Sequence, residues 1–141
     1  MKRWMLLLPV LPLLGGCFQD TASYSLGERE HAITLVRNQT WPWQDTVDVE
    51  VVALRMPHCN GGGSIKGVPE DAAYTLYRAP DEYPEPIFIL KTGKRHFAIS
   101  TQSCRLQKFD EAPEKLGTKL GQFRVEAGKF QFVDVSAKAK E

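Results

Sequence analysis

The sequence predicts a mostly β chain, folded as a small antiparallel sandwich or partly closed barrel of about seven strands with one short helix at most. Three observations predict it. The clearest periodicity is of period two, in Val47-Asp48-Val49-Glu50-Val51, where apolar and acidic residues alternate. The other apolar runs are short and rich in β-branched and aromatic residues. Turn residues separate them, and only one stretch carries both a helix start and a helix stop.

Taken in order, the strand candidates begin with Ala32 to Arg37 (AITLVR) and Val47 to Leu54 (VDVEVVAL). In the second of these, Val52, Ala53 and Leu54 shift phase, as at a bulge or where a strand is buried on both faces. Tyr74 to Arg78 (YTLYR), Ile87 to Leu90 (IFIL) and Arg95 to Thr101 (RHFAIST) follow. Lys91-Thr92-Gly93-Lys94 joins the last two as a hairpin. Asp110 to Leu116 (DEAPEKL) invites the helix, with Pro113 in its first turn and Gly117 as a stop. Gln122 to Glu126 and Lys129 to Val135 close the list as a second hairpin around Ala127-Gly128. Residues 17–27 (CFQDTASYSLG) read as a short polar tether, 28–136 as a single β domain, and 137–141 as a solvated tail.

Ahead of the domain, Lys2 and Arg3 precede an apolar run from Trp4 to Leu14. Its roughly eleven residues fall short of the roughly 20 that a spanning helix needs, and Pro9 and Pro12 interrupt it. This is the pattern of a signal peptide over residues 1–16. Leu14-Gly15-Gly16-Cys17 resembles the lipobox of bacterial lipoproteins. That resemblance implies a diacylglycerol on the Cys17 thiol, cleavage just before Cys17 and acylation of the new amino group. Two or three acyl chains hold a protein stably on a bilayer where one does not. Phe18 stands where an aspartate would favour inner-membrane retention in enterobacteria-like lipoproteins, so the resemblance points to the periplasmic face of the outer membrane. The wider layout, an aromatic loop, a long strand leading into Pro57-His58-Cys59 and a second cysteine some tens of residues on, is similar to small envelope lipoproteins of proteobacteria. It implies no particular activity.

With Cys17 assigned to lipid, Cys59 and Cys104 remain, and an exported compartment is oxidising enough for them to pair. The bridge would close a loop of roughly 46 residues and stabilise the fold by about 4 kcal/mol on the chain-entropy argument. Neither CxxC nor CxxCH spacing occurs. A metal site from His58, Cys59, His96 and Cys104 would require the cysteines to be reduced, so no metal and no cofactor is expected.

Without Lys2 and Arg3 the acids exceed the bases by one, and no basic excess favours nucleic acid. The stretch His58 to Gly67 (HCNGGGSIKG) lacks the P-loop order; it reads as a mobile glycine-rich loop, with an anion-binding nest around Lys66 as the sharper alternative. Ser64 and Lys66 are too close for an SxxK pair, no GxSxG elbow is present, and His31, His58 and His96 offer no metal or dyad spacing. The chain is not expected to be an enzyme.

Two segments read as contact surfaces. Trp41-Pro42-Trp43 places two large rings around a proline that cannot continue a central strand. Ala79 to Pro86 (APDEYPEP) is stiffened by its prolines and presents Tyr83. The expected function is therefore a lipid-anchored, non-catalytic envelope module that binds another protein. The alternative is a small-molecule or glycan binder using the Trp41/Trp43 loop.

Overall fold

Alternation assembles the first layer. Along His31–Gln39 and Thr46–Arg55, the side chains of Ile33, Leu35, Val47, Val49, Val51 and Ala53 are buried, while those between them are wholly or partly exposed. A pleated strand turns successive side chains to opposite faces, so one face of each strand is committed to the core. The computed structural model describes residues 18–27 and 30–135. Within them lie ten strands and no helix. These are β1 (Phe18–Ser25), β2 (His31–Gln39), β3 (Thr46–Arg55), β4 (Cys59–Pro69), β5 (Tyr74–Arg78), β6 (Ile87–Thr92), β7 (Arg95–Ser100), β8 (Leu106–Lys108), β9 (Thr118–Glu126) and β10 (Lys129–Asp134).

The strands form a four-stranded sheet in the order β1-β2-β3-β4 and a six-stranded sheet in the order β10-β9-β5-β6-β7-β8. Every pairing is antiparallel, and the sheets do not close on each other, so the fold is a β-sandwich and not a barrel. Ile33, Leu35, Val49 and Val51 of one layer share a single apolar core with Leu76, Leu90, Phe97 and Phe123 of the other. Aromatic contacts run through this core. Tyr24 lies 6.4 Å from Phe88 and 4.8 Å from Phe132, Phe132 lies 4.9 Å from Phe123, and Phe130 meets Tyr74 edge-on at 6.1 Å.

Both hairpin signals are realised. β6 and β7 are joined through Gly93 at φ 59, and β9 and β10 through Ala127 and Gly128 at φ 52 and 80. Positive φ at both central residues of the β9–β10 turn, and at the first central residue of the β6–β7 turn, matches each hairpin to the right-handed twist of its strands.

Five expectations need correction. Residues 18–25, read as a tether, form edge strand β1, fully paired with β2 from Phe18↔Gln39 to Ser25↔Ala32. The glycine-rich stretch is not a mobile loop but edge strand β4. A Cβ on Gly61 would lie 2.7 Å from the Cys104 carbonyl oxygen, and one on Gly63 would lie 3.2 Å from Leu106 Cδ2. The glycines therefore let the edge of one sheet approach the edge of the other. The register irregularity in β3 falls between Val47 and Val49, not at Val52, and the displaced Asp48 carboxylate accepts a hydrogen bond from the Gly67 amide at 3.1 Å. Residues 110–116 are irregular, since a segment this short cannot repay helix nucleation without a packed face. Ten strands replace the seven, because β1, β4 and β8 carry too little apolar alternation to announce themselves.

Cys59 at the start of β4 is bonded to Cys104, with Cα atoms 5.9 Å apart, so the bridge ties the two sheets together. Mass spectrometry of unreduced peptides will recover residues 59 and 104 joined. The variant carrying Cys59→Ser and Cys104→Ser will unfold at lower denaturant, with a loss of about 4 kcal/mol.

Candidate functional site

The topology gives the sandwich two ends of different character. At the first, β1 begins at Phe18 opposite Gln39, and the connections 40–45, 70–73, 93–94 and 127–128 gather there. At the second lie the β3–β4 turn, the disulfide and the loop 79–86. The ten residues of β3 separate the ends by about 30 Å.

At the first end the inner face of β2 changes from apolar to polar. Arg37 follows Ile33 and Leu35 in the inward phase and is 2% exposed. Its guanidinium donates to the Asp20 carboxylate, which stands opposite it on β1, and to the Glu70 carbonyl at 2.9 Å. It also lies over the Phe130 ring, 4.3 Å from the centroid. A buried cation is tolerated only when it is paired and hydrogen-bonded, and each of these contacts contributes to that. Above it opens a cleft of about 700 Å³ lined by Asp20, Asp45, Glu70, Asp71 and Val125. Arg37 forms the floor of this cleft but is 2% exposed and engaged by Asp20 and the Glu70 carbonyl, so the solvent-facing lining is mainly carboxylate. Among the described residues no group of three or more His, Cys, Asp or Glu side chains is arranged to hold a metal ion.

The tryptophan loop stands beside this cleft. The Gln44 amide donates to the Trp41 carbonyl at 3.1 Å, closing a four-residue turn with Pro42 at its second position, where a fixed φ is favoured. The side-chain amide of Gln39 reaches the Gln44 carbonyl and fastens the turn to the end of β2. The two indoles stack, with centroids 5.2 Å apart and planes at 22°, and remain 51% and 77% exposed.

Tyr83 lies at the opposite end. The Ala79 amide donates to the Ile87 carbonyl at 3.0 Å, so the loop 79–86 leaves and rejoins the sheet at neighbouring points in the manner of an Ω-loop. Tyr83 is half-buried and, with Arg78, Pro80, Pro84 and Phe88, lines a cleft of about 300 Å³. The proposed contact residues therefore form two surfaces, Trp41 with Trp43 and Tyr83 apart, because their loops join strands at opposite ends. Cys17 lies outside the described residues. The cysteines considered as metal ligands, Cys59 and Cys104, are consumed by the disulfide. Among the histidines, His58 is exposed in the β3–β4 turn, while His96 is buried on β7.

Arg37 and Tyr74 were not singled out in the sequence. The signal for Arg37 was present: it occupies the apolar phase of Ile33-x-Leu35-x-Arg37. No protein-family model, no curated protein and no solved structure matches the chain.

Tyr74 is fully buried, and among the described residues its hydroxyl finds no hydrogen-bond partner. Burial pushes its pKa from 10.0 up to about 12, against the opposing pull of Arg37 and Arg95. The shift is upward, so the folded chain holds this proton more tightly than the unfolded chain. The stability contributed is complete below pH 10.0 and is lost as pH rises to about 12. That loss is on the order of 2–3 kcal/mol. Tyr74→Phe will abolish it in denaturant melts across this window, and at neutral pH will leave stability unchanged or raise it by about 1 kcal/mol.

The exposed indoles lead to a different expectation. Trp41→Ala and Trp43→Ala will each change stability by less than about 1 kcal/mol in the same melts, against the 3–5 kcal/mol of an aromatic truncated in a core.

Proposed function

We propose that this chain is a lipid-anchored, non-catalytic module of the cell envelope that binds another protein through the end carrying loop 79–86. The observation that carries this reading is the loop itself: a proline-stiffened, closed-based projection with a half-buried tyrosine over a shallow cleft. A pre-ordered loop gives up little conformational entropy on association, and a tyrosine supplies large contact area with only two rotatable side-chain bonds. Its edge carries Glu82, paired at 3.6 Å with Lys115, both ends largely exposed. Such a rim steers association more than it adds affinity. The reading of the anchor rests on Leu14-Gly15-Gly16-Cys17. In this reading the partner is another periplasm-facing envelope protein, with the chain held on the outer membrane by the lipid on Cys17.

The mutual stacking of Trp41 and Trp43 favours this over glycan binding, since each ring spends one face on the other and a sugar platform needs open ring faces. The test is a photo-crosslinking residue at position 83 in intact cells, with position 129 at the opposite end as the control. A discrete adduct with one envelope protein from position 83 alone is the expected result; equal labelling from both positions refutes the assignment. In parallel, Cys17→Ala will accumulate as an uncut precursor that incorporates no labelled palmitate.

A further inference from the structure

The strand β1 begins at Phe18, one residue after Cys17. There is accordingly no spacer between the residue proposed to carry lipid and the folded sandwich. Consecutive Cα atoms are about 3.8 Å apart, and Phe18 stands directly across the ladder from Gln39, about 5 Å away. Trp41 follows Gln39 by two residues and Trp43 by four, in the loop that caps this end. An anchor at Cys17 would therefore bring the indole pair to the bilayer surface.

We infer that Trp41 and Trp43 seat in the headgroup region of the membrane that holds the lipid anchor, fixing the sandwich upright with its disulfide end away from the bilayer. This rests on the anchor reading above. The occupant is a bilayer interface because of what the rings are and what surrounds them. An indole has an apolar body and a single N–H donor, the combination that partitions to the boundary between acyl chains and water. The pair is the largest exposed aromatic feature among the described residues, and Val125, 50% exposed, lies at the same end of the sandwich. The neighbouring carboxylates of Asp20, Asp45, Glu70 and Asp71 offer nothing to anionic headgroups. Seating is therefore driven by the rings, and a zwitterionic bilayer suffices. The same arrangement turns loop 79–86 outward, where a soluble or membrane-bound partner can reach it.

The sequence contains three tryptophans, and Trp4 lies in the leader, so the fluorescence of the processed chain reports this loop alone. The full chain, made with its own leader in a bacterial host and purified as processed, is placed in phosphatidylcholine vesicles. The mass of the purified chain shows whether Cys17 carries its acyl groups. The expected result is a lipidated chain with emission at short wavelength. That emission is quenched more by bromines high on the acyl chains than by deep ones, is little affected by aqueous iodide, and is unaltered by raised salt. A lipidated chain whose indoles stay fully open to iodide and are untouched by brominated lipid overturns the seating alone, and leaves the pair to a soluble protein or glycan. A chain recovered without acyl groups overturns the anchor and the seating with it. Quenching that requires anionic lipid and disappears with salt overturns the ring-driven seating.

Discussion

The facing of two sheets across one apolar core imposes the geometry on which every other feature depends. Each strand must present one phase of its side chains inward, and the two layers must meet along their edges without a continuous hydrogen-bonded ladder between them. At one edge, Gly61 and Gly63 let β4 come within contact of Cys104 and Leu106, and the Cys59–Cys104 bond holds it there. At the other edge, Tyr24 of β1 packs on Phe132 of β10. The edges are thus closed by different chemistry: absence of side chains with a covalent link on one side, and aromatic bulk on the other.

The ends differ for a related reason. Where the inner face of β2 runs out of apolar residues, Arg37 fills the space, its charge met by Asp20 and its plane lying on Phe130. A guanidinium can do this because its flat face accepts apolar contact while its edge satisfies acceptors. Two opposed influences act on the Tyr74 phenol, and its own desolvation by burial outweighs the pull of the positive charges on Arg37 and Arg95. The opposite end is closed by the disulfide and the loops, and leaves a projecting proline-rich segment there.

The proposed function combines these ends. A chain tethered at the start of an edge strand has its orientation constrained by that strand, because a β-ladder paired along its whole length cannot swivel as a flexible linker can. Loops on the tethered end and loops on the far end then meet different surroundings. The stacked indoles and the Tyr83 loop, which look like equivalent recognition elements when read along the chain, lie at opposite ends, and the proposed function gives them separate roles on that basis.

What the sequence by itself determined was the β class, most of the interior strands and both hairpins. Alternation, β-branched content and turn glycines are local properties, and they hold for β2, β3, β5, β6, β7, β9 and β10. The pairing of Cys59 with Cys104 was also expected, from the cysteine count and spacing and the export that the leader resemblance implies, and the placing of Trp41 and Trp43 outside a strand followed from Pro42. Tertiary structure alone decided that residues 18–25 and the glycine run are strands. Both are edge strands whose order comes from a single neighbour's backbone groups, and hydrogen bonding to a neighbour leaves no pattern in the side chains. It decided also that the two sheets remain an open sandwich, and that Trp41 and Tyr83 lie at opposite ends. Which end a loop occupies depends on the direction of every strand before it, and that is a property of the assembled ladder and not of any stretch within it.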